Sequence, residues 1–190
     1  CGGGSNFAGM AFPFIGEMLR GGRKVDVLGV EPAACPSLTK GKYAYDYGDV
    51  AKKTPLMKMY TLGSSFIPPA VHAGGLRYHG MAPQISNVAA HGLMRARTVQ
   101  QLDVFRDAVI FARSEGIIPA PESSHAISAA MDEARECKKT GKSKTILFNL
   151  SGHGHLDMSA FTDYFAGKLK NYDYPEEEIS MALSGLPVCE

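Results

Sequence analysis

Apolar positions along the chain fall into two alternating habits, short runs of Val, Ile and Leu and longer stretches spaced three or four apart. A first helix is predicted from Ser5, as its cap, to about Arg20, with Gly21 and Gly22 stopping it and Pro13 kinking or dividing it. Lys24–Val30 (K-V-D-V-L-G-V) alternates as a covered strand does, and Pro32 ends it. Short strand-like pieces follow at Tyr43–Tyr47 and Leu56–Thr61, then a helix near Gln84–His91 and an extended piece around Arg97–Val99. Leu102, Phe105, Val109 and Ala112 define one face of a helix closed by Gly116. Ile117-Ile118 reads as a very short strand. Ile127, Ala130, Met131, Ala134 and Cys137 line the next helix, capped by Ser123 or Ser124 and ended by Gly141. Lys144–Leu150 (K-T-I-L-F-N-L) is predicted as a buried strand, Met158–Lys170 as a helix, and Pro175 opens a last helix to about Ser184.

Strands alternating with helices in this way predict an α/β fold: a mostly parallel twisted sheet with helices on both faces. Residues 32–83, rich in Gly and Pro, are irregular for a self-contained domain, and such a stretch normally carries function or packs on another lobe. At 190 residues the chain suits one domain, 1–190. Twenty Lys and Arg against nineteen Asp and Glu leave a charge of +1, so bulk electrostatics favours neither nucleic acid nor an anionic membrane. No apolar run approaches the ~20 residues of a membrane span. The four cysteines form no C-x-x-C pair and are too sparse for a disulfide scaffold, which makes reduced thiols in a cytoplasmic protein the expectation.

Three turns carry candidate chemistry. Gly2-Gly3-Gly4-Ser5-Asn6 stands at the mouth of a helix, where backbone N–H groups converge without Cβ interference and the helix N-terminus favours an anion. No Walker lysine follows, so the cradle suits a phosphate other than a nucleoside triphosphate. Glu122, in P-A-P-E-S-S-H, lies between a strand end and a helix start, where ligands bind in open α/β sheets; it would equally complement a helix dipole. Ser151-Gly152 follows the Lys144–Leu150 run and offers a hydroxyl at a strand end. His153 and His155 can chelate as a pair, but no third ligand has a recognisable spacing, so no metal site is expected. No G-x-S-x-G elbow is present, which argues against a hydrolase triad.

C-G-G-G-S-N-F-A-G, E-G-I-I-P-A-P-E-S-S-H-A and N-L-S-G-H-G-H-L-D, in this order and at these separations, resemble the C-terminal half of tryptophan synthase beta chains. Gly75-Leu-Arg-Tyr-His-Gly-Met-Ala-Pro83 resembles their second, divergent type. The resemblance implies a fold-type-II pyridoxal-phosphate enzyme that joins indole to serine by β-replacement, giving tryptophan. By position, Gly2, Gly3, Gly4, Ser5 and Asn6 would hold the cofactor phosphate, Ser151 with Gly152 would meet the pyridine nitrogen, and Glu122 would lie close to the ring. A serine hydroxyl is too weak an acid to protonate a pyridine, which tunes such a cofactor toward elimination and replacement. The resemblance also implies a homodimer and admits a monovalent cation and an alpha chain as partner.

Two departures qualify it. The Schiff-base lysine of such enzymes lies upstream of the phosphate loop, and none of Lys24, Lys40, Lys42, Lys52 or Lys53 sits in its motif. The chain alone is therefore expected to be inactive, its N-terminal lobe absent and residues 32–83 crossing to it. Arg77 stands where common beta chains place an aspartate, which suggests phosphoserine as a substrate whose dianion Arg77 could pair with. Two other readings stay open: a serine/threonine dehydratase or cysteine synthase relative, and a non-catalytic α/β module binding a phosphate ligand.

Overall fold

The computed structural model describes residues 1–188; Cys189 lies outside the described residues. In chain order the elements are α1 (Ser5–Leu19), β1 (Leu28–Pro32), α2 (Ser37–Lys40), β2 (Lys42–Tyr47), β3 (Leu56–Thr61), a single 3-10 turn at Gly74–Leu76, α3 (Pro83–Ala90), β4 (Arg95–Val99), α4 (Gln101–Glu115), α5 (Pro121–Thr140), α6 (Met158–Phe165) and α7 (Glu176–Ser184). The α/β class is as expected. The chain separates into two compact units, one formed by residues 1–70, 75–98 and the segment from Asp173, the other by Val71–Gly74 and Val99–Tyr172. None of the described helices is long and apolar enough to cross a membrane.

In the first unit, α1 turns Ala11 and Ile15 onto Val27, Met81, Ile85 and Met94, a core that removes several large apolar side chains from water at about 1.5–3 kcal/mol each. Pro13 does not divide α1, which runs unbroken. Both Pro13 and Gly9 are exposed, so water can serve the Gly9 carbonyl that the proline leaves without a helical donor. Ser5 is the first helical residue rather than the cap; Gly4 takes the cap position at φ 100°.

The first strand begins later than its alternation suggests. Lys24–Val27 lie outside β1, and Pro32 is its last residue. β1 pairs with β4, extended by the Arg95 amide donating to the Val27 carbonyl at 2.9 Å. Residues 32–83 are more ordered than their composition implies. β2 and β3 form an antiparallel hairpin, in register from Lys42↔Thr61 to Tyr47↔Leu56. Buried Asp46 accepts from the Thr61 hydroxyl (2.7 Å) and the Tyr47 amide (2.8 Å). Glu31, wholly buried, organises α2 by accepting from the Leu38 and Thr39 amides (2.9 Å each) and the Thr39 hydroxyl (2.6 Å). Burial pushes its pKa up, against those hydrogen bonds.

In the second unit α4 packs on α5 through Asp107. Its carboxylate has no solvent exposure and accepts from Arg106 (3.0 Å), Arg135 (3.0 Å) and the Ser128 hydroxyl (2.6 Å). Burial alone would raise this pKa, but the three donors outweigh it and hold the group below the ordinary aspartate range. Phe105 of α4 packs its ring on Phe161 (5.1 Å between centroids) and Tyr164 (5.7 Å) of α6. The predicted helix over Met158–Lys170 ends earlier, at Phe165.

Two expected strands are not laddered. Ile117-Ile118 is in no strand, with one bridge next to it, Pro119↔His153. Lys144–Leu150 belongs to neither two-stranded sheet and is not buried: Leu147 is 64% exposed, and Ile146 and Leu150 are also open. An apolar run becomes a covered strand only where neighbouring strands flank it. Here Phe148 against Phe111 (6.0 Å) and Lys144 on Glu133 (2.7 Å) hold the segment to the helices.

His125 sits in the first turns of α5, buried, its Nδ1 at 2.8 Å from the Pro121 carbonyl. Desolvation brings its pKa from 6.5 down to about 4. The unfolded chain thus binds a proton that the folded chain refuses between those values, and stability falls as pH drops from 6.5 toward 4, by on the order of 3 kcal/mol in all. Urea midpoints measured across this window should fall with acidification, and the fall should be shallower in His125→Gln.

Candidate functional site

The glycine loop is shaped by what lies behind it. A Cβ on Gly2 would stand 2.5 Å from the Gly75 carbonyl oxygen and 2.9 Å from Leu76 Cα. One on Gly3 would touch the Tyr78 ring at 3.3 Å, and one on Gly4 would meet Met81 Sδ at 2.7 Å. The Ala82 amide donates to the Gly3 carbonyl at 2.8 Å. The segment Gly75–Ala82 therefore runs directly along the loop, and Gly4 turns the backbone in the left-handed region into α1. No side chain caps α1 and no acidic residue stands in its first turn, so the positive end of its dipole is not neutralised from within the helix. Ser5 and Asn6 are exposed at this end.

Arg77, on the same flanking segment, is exposed and donates from Nη2 to the Pro68 carbonyl at 3.0 Å. It is also near enough to Cys35 to oppose the burial that pushes that thiol up to about 12, a value at which Cys35 is inert as a nucleophile. Cys1, Cys35 and Cys137 are all free thiols.

The second unit brings Glu122 and Ser151 together. The Ser123 hydroxyl donates to the Ser151 carbonyl, the Ala120 amide to the Gly152 carbonyl (3.3 Å), and the Gly154 amide to the Ile118 carbonyl (2.8 Å). Neither serine caps α5: Ala120 is its N-cap, Ser123 ties down the Ser151 turn, and Ser124 bonds back to the Ala120 carbonyl at 2.8 Å. Gly152 has φ 88°, and a Cβ on Gly154 would lie 2.5 Å from the Pro119 carbonyl oxygen. Gly152 is thus favoured by its left-handed φ, and Gly154 is required by backbone lying on backbone. Glu122 occupies the first turn of α5 beside this contact. Gly2–Asn6 and Arg77 belong to the first unit, and Glu122, Ser151 and Gly152 to the second.

Asp157 closes the N-L-S-G-H-G-H-L-D motif without an assigned role, and His72 is one of several scattered histidines that are individually uninformative. Asp157 precedes α6 at the N-cap, yet makes no side-chain cap bond. Burial and then the charge of Glu122 raise its pKa, with His153 and His72 opposing. An aspartate at a helix start reads as a cap, and only its partners in space reveal another environment.

A family described as pyridoxal-phosphate dependent enzyme matches residues 1–152. The chain belongs to that family. Among curated proteins it is 61% identical over 169 residues to tryptophan synthase beta chain 2 of Methanosarcina acetivorans, covering 89% of this chain and 38% of that one. It is 58% identical over 171 residues to tryptophan synthase beta chain 2 of Aquifex aeolicus (88% and 39%) and 52% identical over 181 residues to the tryptophan synthase beta chain of Pyrococcus horikoshii (95% and 39%). The chain thus spans under two-fifths of the length of these relatives. Among solved structures, cysteine synthase (OASS) from Entamoeba histolytica aligns with TM-score 0.49 at 17% identity, over 93% of this chain and 42% of that one.

Glycine substitutions should separate the two kinds of position. Gly154→Ala forces a side chain into the Pro119 backbone and should cost about 1–3 kcal/mol in chemical denaturation. Gly4→Ala should cost a comparable amount, from its left-handed φ and the Met81 contact. Gly9→Ala, helical with open space around it, should instead stabilise by about 0.5–1 kcal/mol.

Proposed function

We propose that this chain is the phosphate-holding part of a β-replacement enzyme that makes tryptophan from indole and serine or phosphoserine. The reading rests on 52–61% identity, across about nine-tenths of the chain, to proteins named tryptophan synthase beta chain. The residues present fit pyridoxal phosphate. A loop of three glycines ends at a helix N-terminus uncapped by any side chain, and in the second unit the Ser151 backbone is held to the first turn of α5, which carries Glu122. When bound, that cofactor supplies an electron sink for the substrate's α-carbon, which lets a β-substituent leave.

Each residue then has a physical task. Backbone N–H groups around Gly2–Asn6, with the α1 dipole, hold the phosphate dianion. Ser151 presents an alcohol to the pyridine nitrogen and does not protonate it. The Ser123 and Gly152 contacts fix that hydroxyl's backbone, which makes the weak interaction a stable one. Glu122, on the first turn of α5, keeps a carboxylate close to the ring. Arg77, carried by the segment that flanks the glycine loop, pairs with the phosphoryl group of phosphoserine. The lysine that binds the cofactor covalently comes from sequence beyond this chain, in keeping with the coverage of its relatives.

Two assays test this. The chain alone should make no tryptophan from indole and serine, and mixing it with the complementary N-terminal segment of the Methanosarcina acetivorans relative should restore product and the cofactor's visible absorbance. A folded mixture without either, or one that takes sulfide in preference to indole, overturns the reading. In the active mixture Arg77→Ala should lower kcat/KM for phosphoserine about 10- to 100-fold relative to serine, the loss of one charge-assisted pair. An unchanged preference would remove Arg77 from substrate recognition.

A further inference from the structure

The first unit contains a buried hydroxyl that the proposed chemistry does not use. Ser86 stands on α3 with no exposure to solvent. Its Oγ accepts from the Tyr60 amide at 2.9 Å and donates to the Met81 carbonyl at 3.2 Å. The Tyr60 carbonyl in turn accepts from the Met81 amide at 2.9 Å. Both backbone polar groups of Tyr60 therefore serve Met81, one directly and one through Ser86. Beside them the Leu62 amide donates to the His79 carbonyl at 2.7 Å, and Thr61 bridges Gly80 in antiparallel fashion. Residues 79–81 thus run along β3, and Ser86 fastens the end that leads into Ala82.

That end meets the glycine loop. A peptide group is planar, so the Met81 carbonyl and the Ala82 N–H turn together. The Ser86 hydroxyl holds the carbonyl side of this plane, and the N–H side donates to the Gly3 carbonyl at 2.8 Å. The Gly3 carbonyl belongs to another such plane, whose N–H is that of Gly4, the α1 N-cap. The Ser86 hydroxyl, the Met81–Ala82 peptide and the Gly3–Gly4 peptide therefore form one head-to-tail series of donors and acceptors. Each bond accepted at a carbonyl draws electron density from the N–H of the same peptide and makes it a stronger donor.

We propose that Ser86 is a positioning residue for the glycine loop: it orients and polarises the Gly4 N–H, one of the amides that hold a phosphate. The proposal rests on the anion-holding role given to Gly2–Asn6 above and adds what sets the strength of that hold. Ser86 touches no ligand and acts only through two peptide planes. Met81 is as buried as Ser86, so no water replaces the hydroxyl at its carbonyl.

Amide NMR of this chain, titrated with inorganic phosphate, tests the proposal. In the wild type a scalar coupling should pass from the Ala82 nitrogen to the Gly3 carbonyl carbon through their hydrogen bond. Ser86→Ala should move the Gly4 amide proton upfield without ligand and raise the Kd for phosphate about 3- to 10-fold, the worth of one net hydrogen bond. Ser86→Cys, which keeps a weak donor in place, should fall between the two. Val88→Ala loosens the packing of the same helix outside this series of bonds and should leave both readouts at wild-type values. An unmoved Gly4 proton in Ser86→Ala, or an equal response in Val88→Ala, overturns the proposal. Should Ser86→Ala fail to fold, an unmoved Gly4 proton in Ser86→Cys or an absent wild-type coupling overturns it. A wild type that shows the coupling and the Gly4 response but takes up no phosphate refutes the phosphate reading of the loop instead.

Discussion

Where two stretches of backbone lie against each other with no room for a Cβ, the chain has one way to pack, and both candidate sites are built on such contacts. Gly2 stands against the Gly75 and Leu76 backbone, and Gly154 against Pro119. A hydrogen bond can be remade in several geometries, but a carbonyl oxygen 2.5 Å from an absent Cβ excludes every residue except glycine. That exclusion fixes where the α1 N-terminus points relative to its flanking segment, and where Ser151 stands relative to Glu122. The way the glycine loop leads into α1, and the way the Ser151 backbone lies on the first turn of α5, are consequences of this geometry.

The helices give these contacts a rigid support. Asp107 joins α4 to α5 with three donors and no exposure to solvent, so α5 and its first turn have little freedom to shift. Phe105 couples α4 to α6 through stacked and edge-on rings, and α6 begins at Asp157. Both ends of the Ser151 turn are therefore anchored to helices that share one partner. Removing a buried partner from a charge pair costs several times what a surface pair contributes, which makes Asp107 the position where a local change would travel furthest.

Helices were read well from spacing because each buries a face against neighbours within the same unit. Phe105 and Ile127 fall on buried faces as their periodicity indicates. Caps were read poorly. Ser5, Ser123 and Ser124 have the right chemistry, but Ser123 turns to the Ser151 carbonyl and Ser124 to the Ala120 carbonyl, and Gly4 takes the α1 cap through its φ rather than a side chain. Lys144–Leu150 has strand composition yet lacks flanking strands, a tertiary property that no single segment contains. The glycine loop, Glu122 and Ser151 were legible as motifs because their residue types are locally unusual. Asp157 was not, since Glu122 and His72, whose charges act on it, are distant in sequence.

The segment Thr145–Leu150 has one further consequence. It combines β-branched and aromatic side chains, no proline, no glycine and no charge of its own, and its Leu147 faces water. Short segments of that composition can stack in register with copies of themselves, strand against strand. By composition the stretch is suited to cross-β association between molecules, and a lysine in place of Leu147 is the natural gatekeeper against it.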